Sequence, residues 1–362
     1  MEPRGTENPL AERILSAGAP VVVVRGPAGC GKTTAALAVY RQYLDAATGR
    51  PGCLLLGPNS PAVRDLRRLI TDGSPGGVAV GPAAMTFAGL AGRVLLAAGT
   101  KARLASPFER RLLLAGIVDD LCTAGKLAAL GAVADTPGLV VALDRAIAEI
   151  KRAAIEPDEL ARAVGKASDR RGDLVAIYRR YQDELQARGL YDVEGQAWLA
   201  REQLRQEIRN SSLAATPGRD GQDTHGQDAH ATGDAHATSA GLPGLENIRA
   251  IVADGFTDFT PTQLEILAAM AGHIERVVIT LPHAQDKRRR MWHWTDRTLN
   301  NIRKQFGAGM EEITVSQVAG LPPTEIRNPV AGEPRDGPSE PGNRSFVPVF
   351  RGLWDGVFDI DA

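Results

Sequence analysis

Cysteine is close to absent from this chain. Cys30, Cys53 and Cys122 are the only three in 362 residues, and their wide separation shows no metal-ligand spacing. Cys53 and Cys122 read as small buried hydrophobes and Cys30 as incidental to the loop that contains it. Net charge is equally scarce: 42 basic against 43 acidic side chains leave -1, with a pI near 6.6. That excludes a global basic field, so any contact with nucleic acid must come from local patches. No uninterrupted apolar run is long enough to cross a membrane. The first residues, Met1 to Glu12, alternate charge with Pro and Gly and lack the apolar core of a signal peptide, which predicts a cytoplasmic protein.

What is present is concentrated first in Val21 to Thr34, V-V-V-V-R-G-P-A-G-C-G-K-T-T. Four β-branched residues run into a glycine loop, and the loop runs into an alanine-rich helix. Gly26, Gly31, Lys32 and Thr33 fit G-x-x-x-x-G-K-[ST] in the strand–loop–helix context that gives the pattern its meaning. Residues Gly26, Pro27, Ala28, Gly29, Cys30, Gly31, Lys32, Thr33 and Thr34 are the predicted nucleotide cradle. Glycines let backbone N–H groups curl around phosphates, Lys32 supplies positive charge to the β/γ-phosphates, and Thr33 offers a hydroxyl to Mg²⁺.

Further strands are predicted at Cys53 to Leu56 and Val78 to Val80, each followed by a helix of apolar residues at helical spacing. Strand–helix alternation indicates a parallel sheet covered on both faces. From Ser106 to Glu207 only helical patterns occur, opening on the capping box Ser106-Pro107-Phe108-Glu109. Asn210 to Gly241 is of low complexity, with His225, His230 and His236 irregularly spaced and no apolar anchor, which predicts a solvated, disordered insert rather than a metal site. Pattern resumes with a strand at Ile251 to Ala253, a helix over Thr262 to Ala271, a strand at Val277 to Leu281 and a helix near Thr298 to Phe306. Beyond Val315 the composition turns to Pro, Gly, Glu and Asn, and only Phe346 to Phe358 has the apolar content to dock on anything.

Ile251-Val252-Ala253-Asp254 is an apolar strand ending in an acid, the arrangement that places a carboxylate near Mg²⁺ in NTPases. About 220 residues separate the glycine loop from Asp254, too many for a compact NTPase domain unless something is inserted. The expected fold class is α/β, a P-loop NTPase (RecA-like) parallel sheet with a large all-helical inserted subdomain. The expected organisation is a tail over 1–18, a split sheet domain over 19–104 and 245–310, a helical insertion over 105–208, a disordered insert over 209–244 and a mostly disordered tail over 311–362.

The combination of phosphate loop, I-Y-R-R-Y-Q-D-E-L at Ile177 to Leu185, Y-D-V-E-G at Tyr191 to Gly195 and A-D-G-F-T-D-F-T-P-T-Q at Ala253 to Gln263 resembles the N-terminal part of the AddB family. AddB is one of the subunits of the AddAB ATP-dependent helicase/deoxyribonuclease and a relative of UvrD-like helicases. The resemblance covers roughly residues 20–310 with the insert skipped, and D-G-F-x-D-F-T-P-x-Q is its most specific part. It implies ATP and Mg²⁺ as cofactors, Lys32 and Thr33 as their ligands, and Asp254 as the motif II acid. It also implies a place for Gln263, with Lys32 and Asp254, among the catalytic residues, and a role in double-strand break repair, with DNA, single-stranded or at double-strand ends, and an AddA-like helicase/nuclease subunit as partners, and no membrane.

Departures from the pattern bear on mechanism. UvrD-like helicases carry Asp-Glu in motif II, whereas here Asp254 is followed by Gly255. Loss of that glutamate predicts retained Mg²⁺-nucleotide binding with hydrolysis slowed by orders of magnitude. Asp258 and Glu265 are the nearest replacement acids, and both read better as a turn residue and a helix-face charge. No second RecA-like domain follows Phe306, and the cysteines cannot ligate the iron–sulfur cluster of an AddB nuclease. The expectation is a fragment or a pared-down relative. A subunit whose nucleotide site stabilises the fold without turnover is the rival reading, and a stand-alone NTPase or kinase is a weaker third. For DNA, Arg64, Arg67 and Arg68 and the run Lys287 to Trp294 offer basic residues beside tryptophans. That run reads either as a single-strand path or as a charged loop whose tryptophans pack on the domain edge.

Overall fold

A computed structural model describes residues 8–44, 52–73, 84–166, 169–214, 242–283 and 289–315. The chain order is α1 (Pro9–Ser16), β1 (Val21–Gly26), α2 (Lys32–Gln42), β2 (Cys53–Leu56), α3 (Ser60–Asp72), β3 (Ala84–Met85), α4 (Phe87–Ala97) and β4 (Arg103–Leu104). Then come α5 (Pro107–Thr123), α6 (Pro137–Arg152), α7 (Pro157–Val164), α8 (Arg170–Ala187), β5 (Leu190–Tyr191) and α9 (Val193–Ala214). The series closes with β6 (Ala250–Ala253), α10 (Pro261–Ala271), β7 (Arg276–Pro282), α11 (Arg289–Phe306) and β8 (Met310–Thr314). The protein is thus mixed α/β with a parallel sheet and many helices. The strand predicted at Val78 to Val80 lies outside the described residues, as do 215–241 of the low-complexity stretch and everything beyond 315.

Two compact units divide the chain. The first comprises the described residues of 1–105, 152–154 and 189–319, the second those of 106–151 and 155–188. In the first, six parallel strands lie in the order β3-β2-β6-β7-β1-β8. Both sheet faces are covered, which is why β2, β6 and the first four residues of β1 are apolar without alternation. On one face Val22, Val24, Cys53, Leu55, Val252 and Val278 pack with α1, α2 and α3. On the other, Val21, Val23, Leu54, Leu56, Ile251, Ala253, Val277 and Ile279 pack with α4, α9, α10 and α11. Burial pushes the Tyr40 phenol up to about 12 and the Cys53 thiol well above its ordinary range, so both stay neutral and serve as packing groups. Cys122 is only half-buried.

Several elements differ from the sequence expectation. Helix α1 forms inside the stretch expected as a tail, capped by Asn8, whose Oδ1 accepts from the Ala11 N–H at 3.0 Å. Strand β8 forms beyond the last predicted helix and pairs with β1, from Val21 against Met310 to Arg25 against Thr314. Helix α9, predicted as part of the helical block, buries Ala200 and Leu204 in the core of the sheet unit and runs on to Ala214. Its periodicity fixes an apolar face but not the surface that face meets.

The second unit is helical in its described residues, α5 to α8 with a short 3₁₀ turn at Gly131–Val133. Asp173 of α8, only 3% exposed, accepts backbone N–H bonds from Ala128, Ala129 and Leu130 at 2.8–2.9 Å. That carboxylate anchors the α5–α6 connection, whose amides have no helical partner. The string Ile177 to Leu185 supplies the core face of α8: Ile177, Tyr178, Tyr181 and Leu185 are buried, and the Tyr178 hydroxyl donates to the Ile155 carbonyl at 2.9 Å.

Candidate nucleotide site

Side chains alternate along a strand, so Val22 and Val24 of β1, Val252 of β6 and Val278 of β7 share the face that α2 covers. Two residues beyond Val252 that face is occupied by Asp254, and two beyond Val278 by Thr280. The pairing of β6 with β7 runs through Ala253 opposite Ile279, which brings Asp254 and Thr280 level. Strand β7 also pairs with β1, Val24 opposite Thr280. The glycine loop therefore leaves the sheet two strands away from the acid, and the first turn of α2 bridges the gap.

The bridge is direct. Thr33 Oγ1 donates to Asp254 Oδ2 at 2.8 Å across 221 residues of sequence. Thr280 Oγ1 donates to Asp254 Oδ1 at 2.6 Å and accepts the Gly255 N–H at 3.2 Å. Asp254 is 6% exposed, so both carboxylate oxygens are met by hydroxyls in a place where an unmatched charge would be expensive. Sequence reasoning missed Thr280, because a threonine in a strand is an ordinary β-former; the available signal was one hydroxyl in the apolar run V-V-I-T-L.

Lys32 Nζ donates to the carbonyls of Gly26 at 2.8 Å and Pro27 at 2.7 Å and lies 3.4 Å from Cys30 Sγ. Gly26 has to be glycine: a Cβ there would meet Cys30 Sγ at 2.6 Å and the Val315 carbonyl at 2.7 Å. Gly29 and Gly31 hold left-handed backbone, φ 76° and 86°, with open space where a Cβ would stand. Ala28, Gly29 and Thr34 are exposed, while Pro27, Gly31, Lys32 and Thr33 are half-buried and Cys30 is buried.

The residues suit a magnesium-bound nucleotide on three observations. Helix α2, with Gly31 at its N-cap, has no side-chain cap and no acid in its first turn, whereas α3 and α4 are capped by Asn59 and Thr86. Its first amides are therefore left to an anion. The loop beside them is open. One hydroxyl and one carboxylate form the kind of sparse protein donor set that Mg²⁺ takes when phosphates and waters complete its shell. Among the described residues no cluster of three or more His, Cys, Asp or Glu offers an all-protein cage.

Most residues of the string after Asp254 have a physical task. Gly255 sits at φ 80°, a left-handed conformation that disfavours any residue with a Cβ. Phe256 and Phe259 stack at 4.6 Å, and each meets Phe87, at the start of α4, edge-on at 5.5 and 6.1 Å. The Thr257 carbonyl accepts from Thr298 of α11 at 3.0 Å. Thr260 and Gln263 close a capping box around Pro261 at the start of α10, with the Gln263 Oε1 accepting the Thr260 N–H at 3.0 Å. Gln263, expected as a motif residue, is thereby engaged in a helix cap. Glu265 is held by Arg201 at 2.9 Å and Arg205 at 3.3 Å, and Asp258 is exposed.

Of the basic residues predicted to face DNA, Arg67 donates from Nε and Nη2 to the Ala84 carbonyl at 2.9 and 2.8 Å, and Arg68 lies 3.6 Å from Asp72. Arg64 is exposed on α3 and Trp294 is 65% exposed on α11. Of the basic run, Lys287 and Arg288 lie outside the described residues. No described helix is long and apolar enough to cross a membrane.

Comparison with known proteins gives a family and a relative. A family model described as ADDB, N-terminal, matches residues 23–213 and 245–327. Over 258 residues the chain is 30% identical to a protein of Pelotomaculum thermopropionicum whose name makes it an ATP-dependent helicase/deoxyribonuclease subunit, covering 71% of this chain and 20% of that protein. The chain thus spans about a fifth of the length of the curated relative it matches.

Proposed function

The chain belongs to the AddB N-terminal family, and from that premise we propose that it binds ATP with Mg²⁺ as a helicase/exonuclease-subunit-like protein of DNA double-strand break repair. In this reading the sheet unit is a RecA-like P-loop domain, split in sequence by the helical unit as an insertion. The amides from Gly26 to Thr34 and the Lys32 ammonium receive the phosphates, and Thr33 and Asp254 hold the metal. Bound magnesium neutralises phosphate charge; the chain's own part is to bind, orient and partly bury that charge. DNA, as single strands or double-strand ends, and an AddA-like subunit are its partners, and the cytoplasm is its place of action.

The observation that supports this reading most is the 2.8 Å bond between Thr33 and Asp254, residues that come together only through the sheet topology. Turnover in isolation is weak or absent, because Gly255 puts no carboxylate where an active motor has its glutamate. A second reading, a nucleotide site that stabilises a DNA-binding subunit without any turnover, is favoured by the left-handed backbone at Gly255.

The test compares the wild-type chain with Lys32→Ala. MgATP at about 100 times Kd raises wild-type stability by about 2.7 kcal/mol, read as a rise in Tm that Lys32→Ala loses. ATP turnover stays near background, and DNA with single-stranded ends binds at low salt. An unchanged wild-type Tm sinks the nucleotide reading, and failure to bind DNA with or without ATP sinks the repair role.

A further inference from the structure

Thr280 stands out in β7. Its neighbours Val277, Val278, Ile279 and Leu281 are fully buried and apolar, and Thr280 is itself only 2% exposed. Valine has nearly the same shape and would suit such a strand without a hydroxyl to satisfy. The hydroxyl is instead used twice, as donor to Asp254 Oδ1 at 2.6 Å and as acceptor of the Gly255 N–H at 3.2 Å. A threonine hydroxyl has one proton. Accepting from Gly255 while facing a carboxylate directs that proton to the carboxylate, so Thr280 fixes the rotation of the Asp254 side chain. With Oδ1 committed to β7, Oδ2 is turned toward Thr33 of α2. The same contact ties the acid to Gly255, the start of the loop that carries Phe256 and Phe259.

We propose that Thr280 is a positioning residue for the metal half of the nucleotide site, holding Asp254 so that one oxygen faces Thr33 and the magnesium shared with it. This rests on the nucleotide reading above. Both hydrogen bonds of the Thr280 hydroxyl go to Asp254 and Gly255, so its removal is expected to be felt where the metal counts.

ATP affinity is measured on the full chain in MgCl₂ and again in EDTA. Thr280→Val weakens binding roughly tenfold in magnesium, the loss expected for a hydrogen bond to a charged group, and leaves the EDTA value unchanged. Thr280→Ser keeps the hydroxyl and stays within about twofold of wild type in both. Thr280→Ala carries the same expectation as the valine variant should that variant not fold. Equal losses with and without metal, or no loss in magnesium, overturn the proposal while the nucleotide reading stands. A wild-type chain that binds no ATP in either buffer overturns both, and retained binding by Lys32→Ala marks the loop reading as the one at fault.

Discussion

Gly255 shows how one backbone conformation limits which side chain can follow Asp254. Its φ of 80° belongs to the left-handed region, where an L side chain costs roughly 1–2 kcal/mol. The carboxylate missing after Asp254 is therefore not a single exchange away from restoration. Gly255→Glu is expected to lower unfolding stability in urea by roughly 1–2 kcal/mol and to leave ATP turnover at the wild-type level. A glutamate variant that hydrolyses ATP faster at unchanged stability would contradict this. At this scale Lys32, Thr33 and Asp254 were legible as candidates, because their types and spacing are those that a phosphate and a magnesium ion would call for. Thr280 was not: its task depends on strand register, which no local pattern carries.

The connection from β6 to α10 is built as a rigid corner. It holds a glycine turn, the Phe256–Phe259 stack against Phe87 of α4, and a capping box that starts α10. Phe256 is 4% exposed, and deleting a buried ring leaves a cavity as well as lost transfer energy. Phe256→Ala is expected to cost about 3–5 kcal/mol, read from the urea midpoint of the sheet unit. A cost below about 1 kcal/mol would mean that the corner collapses around the gap and is not the fixed link described. The elements with strong local signals were readable in advance: the valine run of β1, the Ser106–Glu109 capping box of α5, the helical spacing along α8. Those that borrow stability from neighbours were not. Strand β8 has one buried residue, Ile313, and exists by pairing with β1. Strand β3 is two residues long, too short to show any period. Helix α9 is plain as a helix, yet its place in the sheet unit depends on surfaces of α4 and α10 that form far from it in sequence.

For the molecule as a whole, topology does the work that sequence distance conceals. The order β3-β2-β6-β7-β1-β8 sets β7 between the strand that ends in the glycine loop and the strand that ends in Asp254. Ligands of open parallel sheets gather at the carboxyl ends of strands in such a place. The helical unit intervenes in sequence between β4 and β5, which nonetheless pair at Arg103–Leu190 and Leu104–Tyr191; the long gap in the primary structure is closed by the sheet unit's own contacts. The most direct measurement is anomalous diffraction from crystals grown with Mn²⁺ and a non-hydrolysable ATP analogue. A single manganese peak within coordination distance of the Thr33 hydroxyl, with phosphates on the amides of Gly29 to Thr33, is the predicted result; a metal and nucleotide bound away from Thr33 and Asp254 would contradict it.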